Sequence, residues 1–412
     1  MKPSGSFVTP SASGAPKAWN QPGTLRNHLR QNRTPAREMS KQERKTEDAG
    51  SSKAVDPKTW RAPPMPTDML QATTCDVSES KRARDILAEW GFCIIKGAAK
   101  PSEIEKAKEL FVSWLRKAGI TCKSGDWKSI DGSKWKSLGF PKTGVLTQYG
   151  IGQSDLLWYC RTLEGVRKAF QDVWETDDLI TSFDGAGVAR NPFYASEGQA
   201  RQEWCTQGGW FHLDQNAKLT PGFDLWQGLL NLFPSSANTG STVVVPKSHT
   251  DKFSKIFTDR HRINWRKKSH FVMLNRSGDF ERYCKDAVQV VLDAGDLFLW
   301  DSRTIHCSQG INPLLCDPSE MTKAPEIDRK LLDPSNPFAR LVTYICMVPR
   351  ERLSEESKKA RMRAVREGIT GPHQPVLLGK HLRIPTRKDR RSNNTKFKYR
   401  PPASRSKAWE LI

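Results

Sequence analysis

Hydrophobic and polar positions change character several times along the chain. Residues 1–57 hold Pro, Gly, Ser and charge with almost no large apolar side chains. Such a segment cannot bury enough surface to offset its chain entropy, so disorder is expected there. The stretch 80-SKRARDILAEWGFCIIKG-97 has helical spacing that gives way after Gly91 to a short strand, Phe92 to Ile95. In 101-PSEIEKAKELFVSWLRKAG-119, Ile104, Ala107, Phe111, Trp114 and Leu115 fall on one helical face. Ser102 with Glu105 three residues on reads as a capping box at its start. Residues 121–155 are dense in Gly, Ser, Lys and Trp and read as a long ordered loop, and 163-LEGVRKAFQDVW-174 as a third helix.

Beyond 179-LITSF-183 the period shortens. Apolar runs at 227-QGLLNLF-233, 241-STVVV-245, 287-AVQVVLD-293, 297-LFLW-300 and 339-ARLVTYICMV-348 are separated by turn residues. Short strands at this spacing predict a β-sandwich or barrel core with helices packed around it. A last charged helix is expected over 352–366. The organisation predicted is a disordered basic region over 1–60, one folded domain over 61–375 and a basic tail over 376–412.

Charge sharpens that division. The formal net charge is +21, and residues 1–60 carry 11 Lys+Arg against 5 Asp+Glu, residues 350–412 18 against 6. The middle is nearly neutral, so the basic character belongs to the ends and suits weak, salt-sensitive contact with nucleic acid or an acidic surface. Nine cysteines stand singly with no C-x-x-C, which fits a reducing, intracellular setting (cytoplasm or nucleus) and no structural zinc. No apolar run reaches membrane-spanning length. The acid-free residues 1–37 resemble a transit peptide in composition but lack its apolar stripe.

Candidate chemistry begins at 207-QGGWFHLDQN-216. Two imidazoles and one carboxylate on one face suit a mononuclear iron site with positions left open. In His212-x-Asp214 at a strand end both side chains point the same way, because the strand period is two. A second histidine must come from elsewhere. His28 and His381 lie in the tails, His373 in a Gly-Pro setting, His249 in an outer turn, and His261 and His270 in a polar insertion. His306 follows a turn, an apolar strand and a polar strand end in 293-DAGDLFLWDSRTIH-306.

The order of H-x-D, a strand with Gln227, V-V-V-P-x-S-H, A-G-D-x-x-x-W-D-x-R-x-x-H and an Arg-bearing strand resembles the phytanoyl-CoA dioxygenase (PhyH) family of iron(II)- and 2-oxoglutarate-dependent oxygenases. The resemblance spans residues 80–370. It implies a double-stranded β-helix (jelly roll, cupin-like) core, Fe(II), 2-oxoglutarate and O2 as cofactor and co-substrates, and His212, Asp214 and His306 as the metal ligands. Related halogenases lack the carboxylate, so Asp214 implies hydroxylation or another oxidation.

By the same resemblance Ser308 stands at the hydroxyl position that accompanies the 2-oxoglutarate anchor. Arg340 is the expected anchor, a planar guanidinium being suited to a carboxylate. It comes later than the family pattern places it, because 312-NPLLCDPSEMTKAPEIDRKLLDPSNPF-338 reads as an inserted Pro-rich loop, long enough for a lid. Arg303 is the rival. Gln227 and Trp226 are expected at the pocket wall, Asp184 and Arg190 near the substrate, with Lys218, Asn231 and Tyr344 in reach and Trp210 and Phe211 as packing. The function implied is oxidation of a small molecule with release of succinate and CO2. The alternatives are oxidation of a nucleic acid or protein docked by the basic tails, or a catalytically silent binding protein of the same fold.

Overall fold

The structure, a computed structural model, describes residues 60–120, 132–194, 200–250, 253, 255–256, 270–274, 278–376, 401–402 and 406–412. The chain divides into units 1–53 and 54–412, and all described residues belong to the second. The disorder and targeting features expected of residues 1–59, and most of the basic tail, lie outside the described residues. At the boundary, Trp60 packs its ring on Phe211 (5.7 Å) and Phe280 (5.4 Å).

Two facing sheets form the core. The larger runs in the order β1 (Thr74–Asp76), β2 (Phe92–Lys96), β12 (Leu297–Asp301), β8 (Trp226–Asn231), β14 (Phe338–Pro349), β6 (Ala186–Arg190), β4 (Val145–Leu146) and β3 (Gly139–Phe140), with β5 (Leu179–Thr181) also on β14. The smaller runs β10 (Val272–Met273), β7 (His212–Leu213), β13 (His306–Gln309), β9 (Ser241–Val244) and β11 (Val288–Val290). Neighbours are antiparallel except β1 and β2. This is the β core with flanking helices that the double-stranded β-helix reading requires.

Alternation decides which side chains meet. Phe92, Ile94, Leu229, Val244, Val290, Phe298 and Val342 pack between the sheets. Their chain neighbours Cys93, Ile95, Leu230, Leu297, Leu299 and Leu341 face the other way, onto Phe111 and Leu115 of the helix Pro101–Lys117 and Phe170 of the helix Glu164–Trp174. The latter helix comes so close to β8 that a Cβ on Gly228 would stand 3.0 Å from the Phe170 ring and 2.8 Å from the Ile345 carbonyl oxygen. Among the described residues no helix is long and apolar enough to cross a membrane.

Several local expectations shift. The third-residue box at Ser102 is displaced: Pro101 opens the helix, and the Glu103 carboxylate accepts from Lys100 N–H at 2.8 Å. Proline is pre-organised at the first helical position and sets the start two residues early. Within 121–155, read as one loop, residues 121–131 lie outside the described residues, and the rest holds a β3–β4 hairpin. The helix Asp155–Thr162 follows, its Ser154 side chain accepting from Leu157 N–H. The 312–338 insertion carries helices Pro318–Lys323 and Glu326–Leu331. It is pinned by Asn191 Nδ2 to the carbonyls of Asp333 (2.8 Å) and Asn336 (2.9 Å) and by Asn238 Nδ2 to Asp328 (2.7 Å). Such ties to body residues are unlike a free lid.

The chain end also joins the body. The turn Lys407–Leu411 buries Ala408 and Leu411. Arg361, fully buried on the helix Glu355–Glu367, donates to the carbonyls of Ile412 (2.9 Å), Leu411 (3.0 Å) and Pro375 (3.1 Å) and lies 4.4 Å over the Phe183 ring. Burial pulls its guanidinium down to about 9, with Arg161 and Arg350 acting in the same direction. Replacing it strands buried carbonyls, so Arg361→Ala should lower the unfolding free energy by about 3 kcal/mol, measured by urea denaturation. A change below about 0.5 kcal/mol would show that this clamp contributes nothing to the fold.

Candidate metal centre

The parity of two short strands builds the site. Phe211, Leu213, Ile305 and Cys307 are buried with Val243 and Val245 on one face of the smaller sheet. The alternate positions, His212, Asp214 and His306, therefore point into the space between the sheets. β7 and β13 pair with His212 opposite His306, and the two rings stand 4.1 Å apart between centroids. One ligand atom from each of His212, Asp214 and His306 lies within 4.8 Å of the others, and all three residues are buried. Asp214 approaches the Nε2 of His306 at 3.3 Å and that of His212 at 3.8 Å.

The remaining ring nitrogens are held by backbone. His212 Nδ1 meets the Trp210 carbonyl at 3.2 Å and His306 Nδ1 the Thr304 carbonyl at 2.9 Å. A carbonyl can only accept, so each Nδ1 carries the proton and each Nε2 presents its lone pair, the tautomer a metal needs. Trp210 stacks on the His212 ring at 4.6 Å and 9°, and Phe271 covers it at 4.9 Å. Burial, with help from the adjacent His306, pulls the His212 imidazole down to about 3, while Asp214 opposes this. For Asp214 burial alone would raise the carboxyl, but His373, His212 and His306 together hold it well below the carboxylate range. The set is thus two imidazoles and one carboxylate, a donor set that fits iron(II).

Gln227 acts on this centre through the carboxylate, its Nε2 donating to Asp214 at 3.0 Å, while its Oε1 is buried with no hydrogen-bond partner. Trp226 is on the outer side, 4.6 Å from Trp174 and 4.7 Å from Phe223, and not at the pocket wall. Adjacent strand residues point to opposite faces, which separates the two.

The two arginines have different surroundings. Arg303 is committed: its Nε (2.9 Å) and Nη2 (2.6 Å) grip both oxygens of Asp301. Arg340 is buried on β14, where Nη2 donates to Thr242 Oγ1 at 3.2 Å and Nε has no partner. Burial lowers its guanidinium, with Tyr344 opposing. Thr242 pairs across β9–β13 with Ser308, so Ser308 stands beside the threonine that Arg340 touches. A buried guanidinium with an idle N–H and no carboxylate is unfavourable in isolation and fits an anionic ligand.

Other sequence candidates divide between pocket and scaffold. Tyr344, four residues beyond Arg340 on the same strand, has its hydroxyl where a Cβ on Gly187 would come within 2.5 Å. Burial pushes that phenol up to about 12, and Arg340, Asp184 and Asp214 all lie within its electrostatic reach. Asp184 is raised by burial and interacts with His373 and Asp214. Arg190 is on the outer face, sandwiched by Trp204 (4.2 Å) and Trp135 (4.9 Å). Asn231 spends its amide on the carbonyls of Phe233, Leu292 and Asp293, and Lys218 is exposed. Phe211 is core packing. His249 caps the Ala88 carbonyl at 3.0 Å, away from the metal ligands.

Three participants carried no usable sequence signal. Thr242 is one polar residue in an apolar run. His373 Nε2 (3.2 Å) and Gln374 Nε2 (3.3 Å) both meet the Asp214 carbonyl oxygen from a segment beyond the last strand.

These ionisations have a pH consequence. The unfolded His212 titrates near 6.5 and the folded one near 3, so between those values the unfolded chain binds more protons. The contribution is complete above about pH 6.5 and is lost as pH falls; the depressed Asp214 acts in the same direction at lower pH. Metal-free protein should lose unfolding free energy with a slope approaching about 1.4 kcal/mol per pH unit between about pH 6 and 4. His212→Gln should flatten that slope in urea titrations at several pH values, and an unchanged slope would remove His212 as its source.

A curated relative, "Ava biosynthesis cluster protein O" of Aspergillus versicolor, is 25% identical over 302 residues, covering 71% of this chain and 85% of the relative. Among solved structures, the epimerase SnoN in complex with Fe3+, alpha ketoglutarate and nogalamycin RO aligns with a TM-score of 0.40 and 15% identity, over 66% of this chain and 84% of that one. EctD from S. alaskensis with bound Fe aligns at 0.40 and 10%, over 73% and 84%. The family described as Phytanoyl-CoA dioxygenase (PhyH) matches residues 87–312, more than half of the chain and inclusive of His212, Asp214 and His306. The chain belongs to the phytanoyl-CoA dioxygenase family.

Proposed function

We propose that the protein is an iron(II)- and 2-oxoglutarate-dependent oxygenase that oxidises a small molecule. One observation carries the reading: a buried His-Asp-His cluster, with both Nε2 atoms free to ligate, shares the space between the sheets with a buried guanidinium that has no carboxylate partner. His212, Asp214 and His306 would hold the iron, and Arg340, with Thr242 and Ser308 beside it, the distal carboxylate of 2-oxoglutarate. When bound, that pair supplies with O2 an oxidant for C–H bonds, releasing succinate and carbon dioxide.

The chain's own contribution is positioning. The Trp210 and Thr304 carbonyls fix the imidazole planes, Gln227 orients one Asp214 oxygen, and His373 and Gln374 fix the backbone that carries it. Pre-set ligands spend no reorganisation when the metal binds. The apolar residues that line the sheet interface, Val244, Trp300 and Val342 among them, exclude water from the buried side. Asp184 and Tyr344 would face the substrate. Asp214 supplies the carboxylate that an oxygenation, in contrast to a halogenation, keeps on the metal. The Aspergillus versicolor relative is a biosynthesis cluster protein by name, which supports a small molecule as the substrate.

Anaerobic addition of iron(II) and 2-oxoglutarate should give a visible metal-to-ligand charge-transfer band in the wild type and none in His212→Ala or Asp214→Ala. Titrating that band, Arg340→Ala should need roughly 10- to 100-fold more 2-oxoglutarate, the loss of a charge-assisted pair. Arg303→Ala should stay within about threefold, since its ion pair with Asp301 is separate from the pocket. No band in the wild type would sink the oxygenase reading, and the reverse ranking of the two arginines would move the anchor to Arg303.

A further inference from the structure

Two thiols outside the metal centre meet from segments 111 positions apart, with Cys205 Sγ and Cys316 Sγ separated by 3.8 Å. Cys205 follows the turn Gln202–Trp204 in the segment that leads to His212, and Cys316 ends the turn Pro313–Cys316 at the start of the insertion. Both are half-buried. The backbones beneath them are already in contact, since a Cβ on Gly310 would stand 2.0 Å from the Thr206 carbonyl oxygen. A disulfide needs its sulfurs at about 2.0 Å, a closure within reach of side-chain rotation at this separation.

The other described thiols are placed differently. Cys75 and Cys93 also approach, at 3.9 Å, but both are buried in the core beside β1 and β2. Cys160, Cys284, Cys307 and Cys346 are buried without a thiol partner. Access by a soluble oxidant therefore selects one pair.

We propose that Cys205 and Cys316 form an oxidation-sensitive dithiol site, converted by a peroxide into an intramolecular disulfide. The Cys316 sulfur attacks the O–O bond of hydrogen peroxide, which breaks to give the sulfenic acid and one water. The Cys205 sulfur then displaces the sulfenic hydroxyl as a second water, forming the S–S bond. Two thiols lose two electrons and two protons, one peroxide is reduced, and two waters leave. Either thiol can donate in the S–H···S contact, and Cys316, on the insertion, is taken as the attacking sulfur and Cys205 as the resolving one. The bond closes a loop that contains both His212 and His306 and ties the insertion to the approach of β7.

The test uses the full chain treated with one equivalent of hydrogen peroxide, alkylated with N-ethylmaleimide and mapped as non-reduced peptides. A Cys205–Cys316 peptide pair as the dominant link within single chains is expected, reversed by dithiothreitol. In Cys205→Ser that link disappears, and Cys316 becomes trappable by dimedone as its sulfenic acid. Full alkylation of both cysteines after treatment, links mainly between chains, or Cys75–Cys93 as the dominant link would each overturn the proposal.

Discussion

The pairing of His212 opposite His306 is the constraint on which the site depends. β7 is two residues long, too short to set its own register by ladder hydrogen bonds. Its register is fixed from the other face, where Phe211 and Leu213 are fully buried against Val243, Val245, Ile305 and Cys307. A slip of one residue would expel those apolar groups into a polar space and send both ligands into the hydrophobic layer. Burial of each large apolar side chain contributes about 1.5–3 kcal/mol. Ordinary core packing thus holds His212, Asp214 and His306 together, and no strained backbone is needed to explain it.

The same logic makes Arg340 and Arg303 opposites. A charge taken from water must be matched inside. Arg303 meets that demand within its own strand end through Asp301, which occupies the bidentate edge of its guanidinium. Arg340 meets it in part, with one hydroxyl of Thr242 and a nearby phenol. Its idle Nε and the idle Oε1 of Gln227 are buried in the same intersheet region. Native interiors rarely tolerate such orphans, and where they cluster beside ligating groups they mark a place for a polar guest.

Periodicity and residue order made much of this legible in the sequence. The alternation in 297-LFLW-300 and 339-ARLVTYICMV-348 identified strands, and the run from His212 through Gly295 to His306 carried the family resemblance that the match over residues 87–312 supports. Two kinds of feature left no such trace. Short helices such as Asp155–Thr162 and those of the insertion are too brief for a 3.6-residue pattern to stand out against Pro and Gly. Trp226 and Gln227 are adjacent in sequence, and choosing the inward one requires the strand's parity, which Leu229 and Leu230 reveal only once their clusters are known.

His373 shows why a histidine can matter to a metal centre without ligating it. It lies in a segment with no helical or strand period, and it reaches Asp214 through the backbone carbonyl and not through the ligand atoms. The same segment is fastened beneath by Gln153 to the Ile369 carbonyl at 3.1 Å, by Gly371 N–H to Phe183 at 2.7 Å and by Arg361 to Pro375. Phe183 precedes Asp184, whose carbonyl accepts from Arg161 at 3.0 Å. This segment therefore ties the backbone at Asp214 to the backbone at Phe183 and Asp184, so a perturbation at either buried arginine, Arg161 or Arg361, would reach both stretches by the same route.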